Sequence, residues 1–335
     1  MPGILALRLK GMGDIVHLIP SLERLRFLFP DQTIGLLAQT PFGEIVPPSL
    51  RVEIFHLPPK ATFWQTLRLV RSIRKFHFDT ALDFFGNPRT ALISVLSGIP
   101  RRCGFDYQVR RHAYQETFHP PDSNRHLTEL FGEFLDHFGF RGPLSTARLE
   151  VSPQDRHWGQ DWLKRQNIRR PLLGVNPHTT YPSKCWPPEH FQAIIARWYH
   201  ETGGSALVFH GPGEESATQT LLRNTPPGAA ISHPPLKLAR LLALLGEPDL
   251  FLTGDTGPMN LAWALGTPTV ALFGPTTRRA VAPKGDRHLI VFHPDLDCLE
   301  CHREVCQDGR CMKDLSPGMV WKKICQKYPG VVARP

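Results

Sequence analysis

The sequence predicts an α/β protein of two Rossmann-like domains, each built on a mostly parallel sheet and facing the other across a cleft. Three observations carry this. Short apolar runs of strand length alternate with runs of helical period from the N-terminus to Phe85. The same alternation restarts at Leu172. Loops rich in glycine, threonine and asparagine stand directly after strands, where open parallel sheets take their ligands.

Ile4–Leu9 reads as a first strand, and Ile15–Phe29 carries apolar residues at helical spacing until Pro30 stops it. Thr33–Ala38 and Val52–Leu57 are strand-like. Phe63–Phe76 is an amphipathic helix with Arg68, Arg71, Arg74 and Lys75 on its wet side. Thr80–Phe85 is a fourth strand, ending at Gly86-Asn87-Pro88. Residues 141–153 lack periodicity, and a helix with Trp158, Trp162 and Leu163 follows. The second series runs through a strand at Leu172–Asn176, a helix at Phe191–Tyr199, a strand at Ala206–His210, a helix at Leu236–Leu245, and strands at Leu250–Thr253 and Thr269–Phe273. These elements divide the chain into a first domain over 1–165 and a second over 166–316, with 317–335 as a tail.

The 335 residues carry a net charge of +9, which suits an anionic partner: nucleic acid, a phosphorylated sugar or a membrane surface. No nucleic-acid-binding motif accompanies the charge, so nucleic acid is not an expected partner. No apolar run approaches the roughly 20 residues of a membrane helix. The short apolar stretch at the N-terminus precedes its basic residues instead of following them, unlike a secretory signal. The chain is therefore expected in the cytoplasm, with its seven cysteines reduced or bound to metal.

Three loops carry chemistry. Lys10-Gly11-Met12-Gly13-Asp14 follows the first strand, but glycine is missing where a dinucleotide fingerprint needs it, at His17. Asp14 either caps the helix or serves as a general base on a hydroxyl. Thr179 and Thr180 offer hydroxyls after the Leu172–Asn176 strand, and Lys184 beyond Ser183 is either a solvated surface charge or a point charge for a diphosphate. Asp255, Thr256 and Gly257 open the helix after Leu250–Thr253, either as a plain capped turn or as an anion site made by helix N–H groups.

These segments together resemble glycosyltransferase family 9, the bacterial lipopolysaccharide heptosyltransferases. The likeness rests on K-G-M-G-D, T-T-x-x-S-K-x-W-P, G-P-G-E at Gly211–Glu214, and G-D-T-G-P-M followed by A-L-G-T-P-T-V-A-L-F-G-P-T, and it runs from about residue 4 to 324. Leu82–Thr90 and Arg101–Phe105 are similar to the family as well. The resemblance implies a GT-B fold with an acceptor-binding first domain, a donor-binding second domain, and a C-terminal helix near Pro317–Tyr328 returning to the first. It implies inverting, metal-independent transfer from ADP-L-glycero-D-manno-heptose to a lipid-linked, anionic lipopolysaccharide core acceptor. By the same resemblance Asp14 is the catalytic base and Lys184 meets the donor phosphates. Thr179, Thr180 and Ser183 belong to the phosphate loop, Glu214 or Glu215 lies near the ribose, and Asp255, Thr256 and Gly257 form the donor-binding turn. The family has His where Asn260 stands, so another nucleotide sugar, a protein acceptor or a catalytically weak binding protein stays open.

On the acceptor side, Met12, Gly13 and Arg89 are the candidates, with Lys60, Arg101, Arg102, Arg110 and Arg111 adding positive charge. Basic and aromatic residues of this half suit peripheral contact with anionic lipid on the cytoplasmic face of the inner membrane. Cys298, Cys301, Cys306 and Cys311 have the spacing of a small structural metal knuckle, or else are reduced packing thiols. No catalytic cofactor is expected. Asp295-Leu296-Asp297 matches the D-x-D of metal-dependent transferases but stands outside the donor loops and is discounted.

Overall fold

The structure, a computed structural model, describes residues 3–107, 112–120 and 125–332. Arg110 and Arg111 lie outside the described residues. The chain divides into two compact units, 1–150 and 151–335.

The first unit begins with β1 (Gly3–Leu7), α1 (Met12–Leu28), β2 (Ile34–Gln39), β3 (Glu53–Leu57) and α2 (Phe63–Arg74). It continues with β4 (Phe78–Asp83), α3 (Pro88–Leu96), β5 (Arg101–Phe105), β6 (Glu116–Phe118) and α4 (Leu127–His137). Its six described strands are all parallel, in the order β3-β2-β1-β4-β5-β6. β1 lies between β2 and β4, which is why every residue of it is buried. Leu5, Leu7, Leu37 and Phe55 from the strands pack with Leu69, Val70 and Ile73 of α2 and Ile93 of α3. α1 is buried on most of its surface, and even its Arg24 is 4 % exposed, satisfied by Gly132 O, Pro143 O and Asp136.

The second unit opens with α5 (Pro153–Arg165), β7 (Leu173–Asn176), α6 (Pro188–Thr202), β8 (Ala206–Val208), α7 (Glu215–Arg223) and β9 (Ala230–Ser232). α8 (Leu238–Leu245), β10 (Leu250–Gly254), α9 (Gly257–Ala264), β11 (Thr269–Leu272), α10 (Arg278–Val281) and β12 (Leu289–Val291) follow. α11 (Arg310–Lys313), α12 (Pro317–Lys327) and α13 (Pro329–Val332) end the described chain. The second sheet is also parallel, in the order β12-β11-β10-β7-β8-β9. Trp186, Trp198 and Trp321 are fully or almost fully buried in its core.

Two expectations about boundaries change. The first unit ends at Glu150 and not at 165, because α5 packs on α8 and its Gly159 meets Ala243. The segment from 317 onward is part of the second unit and not a separate tail. Val320, Trp321 and Ile324 of α12 join the second core, and the helix packs on α6 and β12. The first strand is also shorter than expected, stopping at Leu7 and leaving Arg8 in the loop. Among the described residues, no helix is long and apolar enough to cross a membrane.

Candidate active site

In the first unit, the turn from β1 into α1 brings a carboxylate and a guanidinium together. Gly11 has φ 87°, and a Cβ there would sit 2.3 Å from Asp14 Oδ2, so only glycine lets the carboxylate fold back over the turn. α1 has no side-chain N-cap bond. Asp14 instead accepts from Arg8 Nη2 at 2.5 Å, with its own side chain 30 % exposed. Arg8 is held from behind: Nη1 donates to Phe84 O at 2.7 Å, and the guanidinium lies 4.7 Å from the Phe85 ring centre. The carboxylate is thus oriented and still open to solvent, as a base needs. Met12 and Gly13 form the first turn of α1 beside it, half-buried and buried.

The loop after β4 is organised by a residue that spacing alone did not single out. Asp83 is fully buried and accepts from the N–H groups of Phe85 and Gly86 and from Tyr114 Oη. Burial pushes its carboxyl up from the ordinary range, against the pull of those donors. Asn87 then caps α3, and Arg89 in its first turn donates to Ala61 O at 3.0 Å. Lys60 is exposed. Arg101 and Arg102 are committed elsewhere: Arg101 pairs with Glu116, which raises the Arg101 pKa and lowers that of Glu116, and Arg102 donates to Ala113 O and Ile99 O.

In the second unit the loops after β7 and β10 meet, since these strands are neighbours in register, Thr253 opposite Asn176. Lys184 Nζ lies 2.6 Å from Asp255 Oδ2, with the two side chains 16 % and 11 % exposed. Asp255 therefore serves as the partner that aims Lys184. Thr256 caps α9, its Oγ1 accepting from Met259 N, while Asn176 Nδ2 bridges to Thr253 Oγ1 and Thr256 Oγ1. Gly257 begins α9, Pro258 has no N–H and the Met259 N–H is taken by Thr256, so the Gly257 amide and the Lys184 ammonium belong to one pair of adjoining loops. A Cβ on Gly254 would touch the Thr179 methyl at 3.2 Å, which places Thr179 against the same turn. Thr180 is exposed, whereas Thr179 Oγ1 donates to Tyr181 O. Asn260 is buried in α9 and donates to Thr256 O, back toward the turn.

Ser183 differs from the expectation of direct contact with a ligand. It is 6 % exposed, and its Oγ donates to Arg303 O at 2.6 Å while its N–H donates to Glu304 O. Its hydroxyl ties the Lys184 loop to the cysteine-rich segment. Glu214 accepts from Gly211 N at 2.6 Å at the mouth of α7, and Glu215 accepts from Gly213 N. Next to them stand three histidines that the sequence did not mark. His178 bonds to Thr218 Oγ1, and burial lowers its pKa although Glu214 pulls the other way. His210 stacks on His233 at 4.5 Å, and burial drives the His233 pKa down to about 4. Each follows a strand end, but single histidines carry no periodicity that would set them apart.

Cys298, Cys301, Cys306 and Cys311 border one cavity of about 130 Å³ with Arg303 and Ser183. Cys311 is pushed up to about 11 by burial and by the neighbouring thiols. Among the described residues, no group of three or more His, Cys, Asp or Glu side chains is arranged to hold a metal ion. The thiols are thus neighbours around a space, and the geometry lends no support to a metal knuckle.

The family model described as glycosyltransferase family 9 (heptosyltransferase) matches residues 66–311. Lipopolysaccharide heptosyltransferase 1 of Pseudomonas aeruginosa is 24 % identical over 323 residues, covering 90 % of this chain and 87 % of that protein. A family 9 glycosyltransferase structure from Veillonella parvula superposes with a TM-score of 0.86 at 21 % identity, covering 98 % of both chains. The Escherichia coli ADP-heptose lipopolysaccharide heptosyltransferase II structure gives 0.82 at 18 % identity over 98 % of this chain and 99 % of that one. At such identities the structural likeness carries the fold, which is GT-B, while the family match over residues 66–311 carries the class of enzyme. The chain is a glycosyltransferase and belongs to glycosyltransferase family 9 (heptosyltransferase).

Proposed function

We propose that this chain moves heptose from ADP-L-glycero-D-manno-heptose onto a lipid-linked, anionic lipopolysaccharide core acceptor, with inversion and without a metal ion. The single observation that supports this best is the Lys184–Asp255 pair at the capped start of α9. A departing ADP carries its charge on a diphosphate. The Lys184 ammonium and the Gly257 amide supply positive charge to that group without reorganising. Thr179 and Thr180 contribute hydroxyls to the same loop, Ser183 holds it in place, and Glu214 or Glu215 serves the ribose. In the first unit Asp14, aimed by Arg8, takes the proton from the attacking hydroxyl, which then displaces ADP from the opposite face of the sugar. Met12, Gly13 and Arg89 serve the acceptor. The enzyme works in the cytoplasm, meeting its lipid-linked acceptor by peripheral contact with the inner membrane.

A second reading keeps the same chemistry with another nucleotide sugar or a protein acceptor. It is favoured by Asn260, which is neutral at every pH and turned toward Thr256 O. The test is incubation of the chain with ADP-heptose and, separately, with UDP- and GDP-sugars, each with a truncated core glycolipid, while the released nucleotide is measured. ADP release that depends on the glycolipid supports the first reading. Release from another donor alone favours the second, and melting shifts by ADP without any release leave only a binding protein.

A further inference from the structure

α2 and α3 present an outward face that the catalytic reading does not use. Phe63 and Trp64 at the start of α2 are 71 % and 72 % exposed, their rings 5.4 Å apart and edge to face. They are not on a frayed end: Thr62 and Gln65 form a reciprocal capping box that fixes the first turn. Arg68, Arg71 and Lys75 follow at i+4, i+7 and i+11 from Trp64, all exposed, so one stripe runs from aromatic to cationic. On α3, Leu92, Val95 and Leu96 stand at i, i+3 and i+4 and are 55 %, 43 % and 38 % exposed. That spacing is the pattern of a face made for burial. The two helices are bolted side by side. Arg89 reaches from the start of α3 to Ala61 O before α2, and Arg74 at the end of α2 donates twice to Leu96 O at the end of α3. Both helices bury their other sides in one core, so their outer faces look the same way.

The charge on this face has one sign. No Asp or Glu occurs between Glu53 and Asp79, a stretch that holds Lys60, Arg68, Arg71, Arg74 and Lys75, and α3 has none either. Exposed aromatic and aliphatic groups set among long cationic side chains match the interface of an anionic bilayer. Rings and aliphatic chains enter the headgroup boundary, and the cations meet phosphates. We propose that the outer face of α2 and α3 docks the protein on an anionic phospholipid surface, with Phe63 and Trp64 as the inserting pair. This deepens the reading of a lipid-linked acceptor and rests on it only for which membrane is met.

The test is co-sedimentation of the full chain with vesicles of phosphatidylcholine alone or mixed with phosphatidylglycerol. Binding should require phosphatidylglycerol and weaken as salt rises. The double variant Phe63→Ser/Trp64→Ser should bind at least about tenfold more weakly, while Arg68→Gln/Arg71→Gln/Lys75→Gln should bind weakly with a flattened salt dependence. Brominated phosphatidylglycerol should quench tryptophan fluorescence in the wild type and much less in Trp64→Phe. Equal binding to neutral vesicles, no binding to either kind, or an unchanged double variant overturns the proposal. So does a wild-type dimer that the double variant turns into a monomer, because the face would then meet a second copy. An ADP-induced melting shift, kept in all the variants, reports an intact fold. If ADP fails to shift the wild type while the vesicle results hold, the donor reading falls and this one stands.

Discussion

At the scale of single residues, the site consists of charged groups whose partners are supplied by other segments. Lys184 and Asp255 are 71 positions apart, and 2.6 Å separates their charged atoms. Lys184→Ala should lower turnover by more than about 10-fold, close to 1.4 kcal/mol or more of lost transition-state stabilisation. Steady-state nucleotide release checks this, and a wild-type rate would refute the assignment. Asp14→Asn keeps the shape of the Arg8 contact but cannot take a proton. It should cut turnover by about 10²-fold or more and leave the ADP-induced melting shift unchanged. A variant with normal turnover would return Asp14 to a structural part. Asp14 was legible in the sequence because Gly11 and Gly13 stand just before it, directly after the first strand. Arg8 was not, because the strand-like run appeared to extend to Leu9. The strand ends at Leu7, the Arg8 N–H still donates to Leu37 O, and the Arg8 side chain turns toward Asp14.

Among elements, the positions of most strands and of α1, α2, α5, α6 and α8 followed from apolar spacing, while α4 and the strands β5, β6, β9 and β12 did not. β5 has arginine at two of its five positions, and β9 and β12 have three residues each. Periodicity cannot resolve runs so short. The start of α9 was legible as a cap, and the structure gives the cap a second task. Thr256 Oγ1 both accepts from Met259 N and meets Asn176 Nδ2 from the neighbouring strand end. Thr256→Ala should cost about 1 kcal/mol or somewhat more in stability and also weaken ADP binding. Chemical denaturation and nucleotide titration measure the two effects, and a loss of stability with unchanged ADP affinity would separate the cap from the donor site. Ser183 shows the same division of labour. Its anchor lies in the 298–311 segment, which is itself pinned through Glu300 N to Gly274 O and His302 N to Pro275 O. Ser183→Ala should raise the KM for the donor more than it lowers kcat, because it loosens the loop that carries Lys184 without touching the charge itself.

For the whole molecule, buried histidines of the second unit should contribute a loss of stability as pH falls. His233 and His288 are both held neutral by burial, each with a pKa lowered from 6.5 to about 4. The unfolded chain therefore takes up their protons first as pH falls. Stability is present in full above about 6.5, and is lost progressively as pH drops toward 4. Replacing His233, the more buried of the two, with Asn should flatten this limb by up to about 3 kcal/mol. Melting temperatures between pH 4 and 7 test it, and an unchanged slope would place the acid sensitivity in other groups.

By itself, the order of residues determined the class of fold, the two-part organisation and which loops are candidates for the chemistry. These depend on local periodicity and on small residues next to strand ends, which are properties of neighbouring positions. Only the tertiary structure decided where the first unit ends, that the last helices complete the second core, and that Asp255 aims Lys184. It also decided that Arg101 and Glu116 satisfy each other and that the four cysteines border one cavity. These depend on which strands and helices pack side by side, and that packing is not fixed by the spacing of residues along the chain.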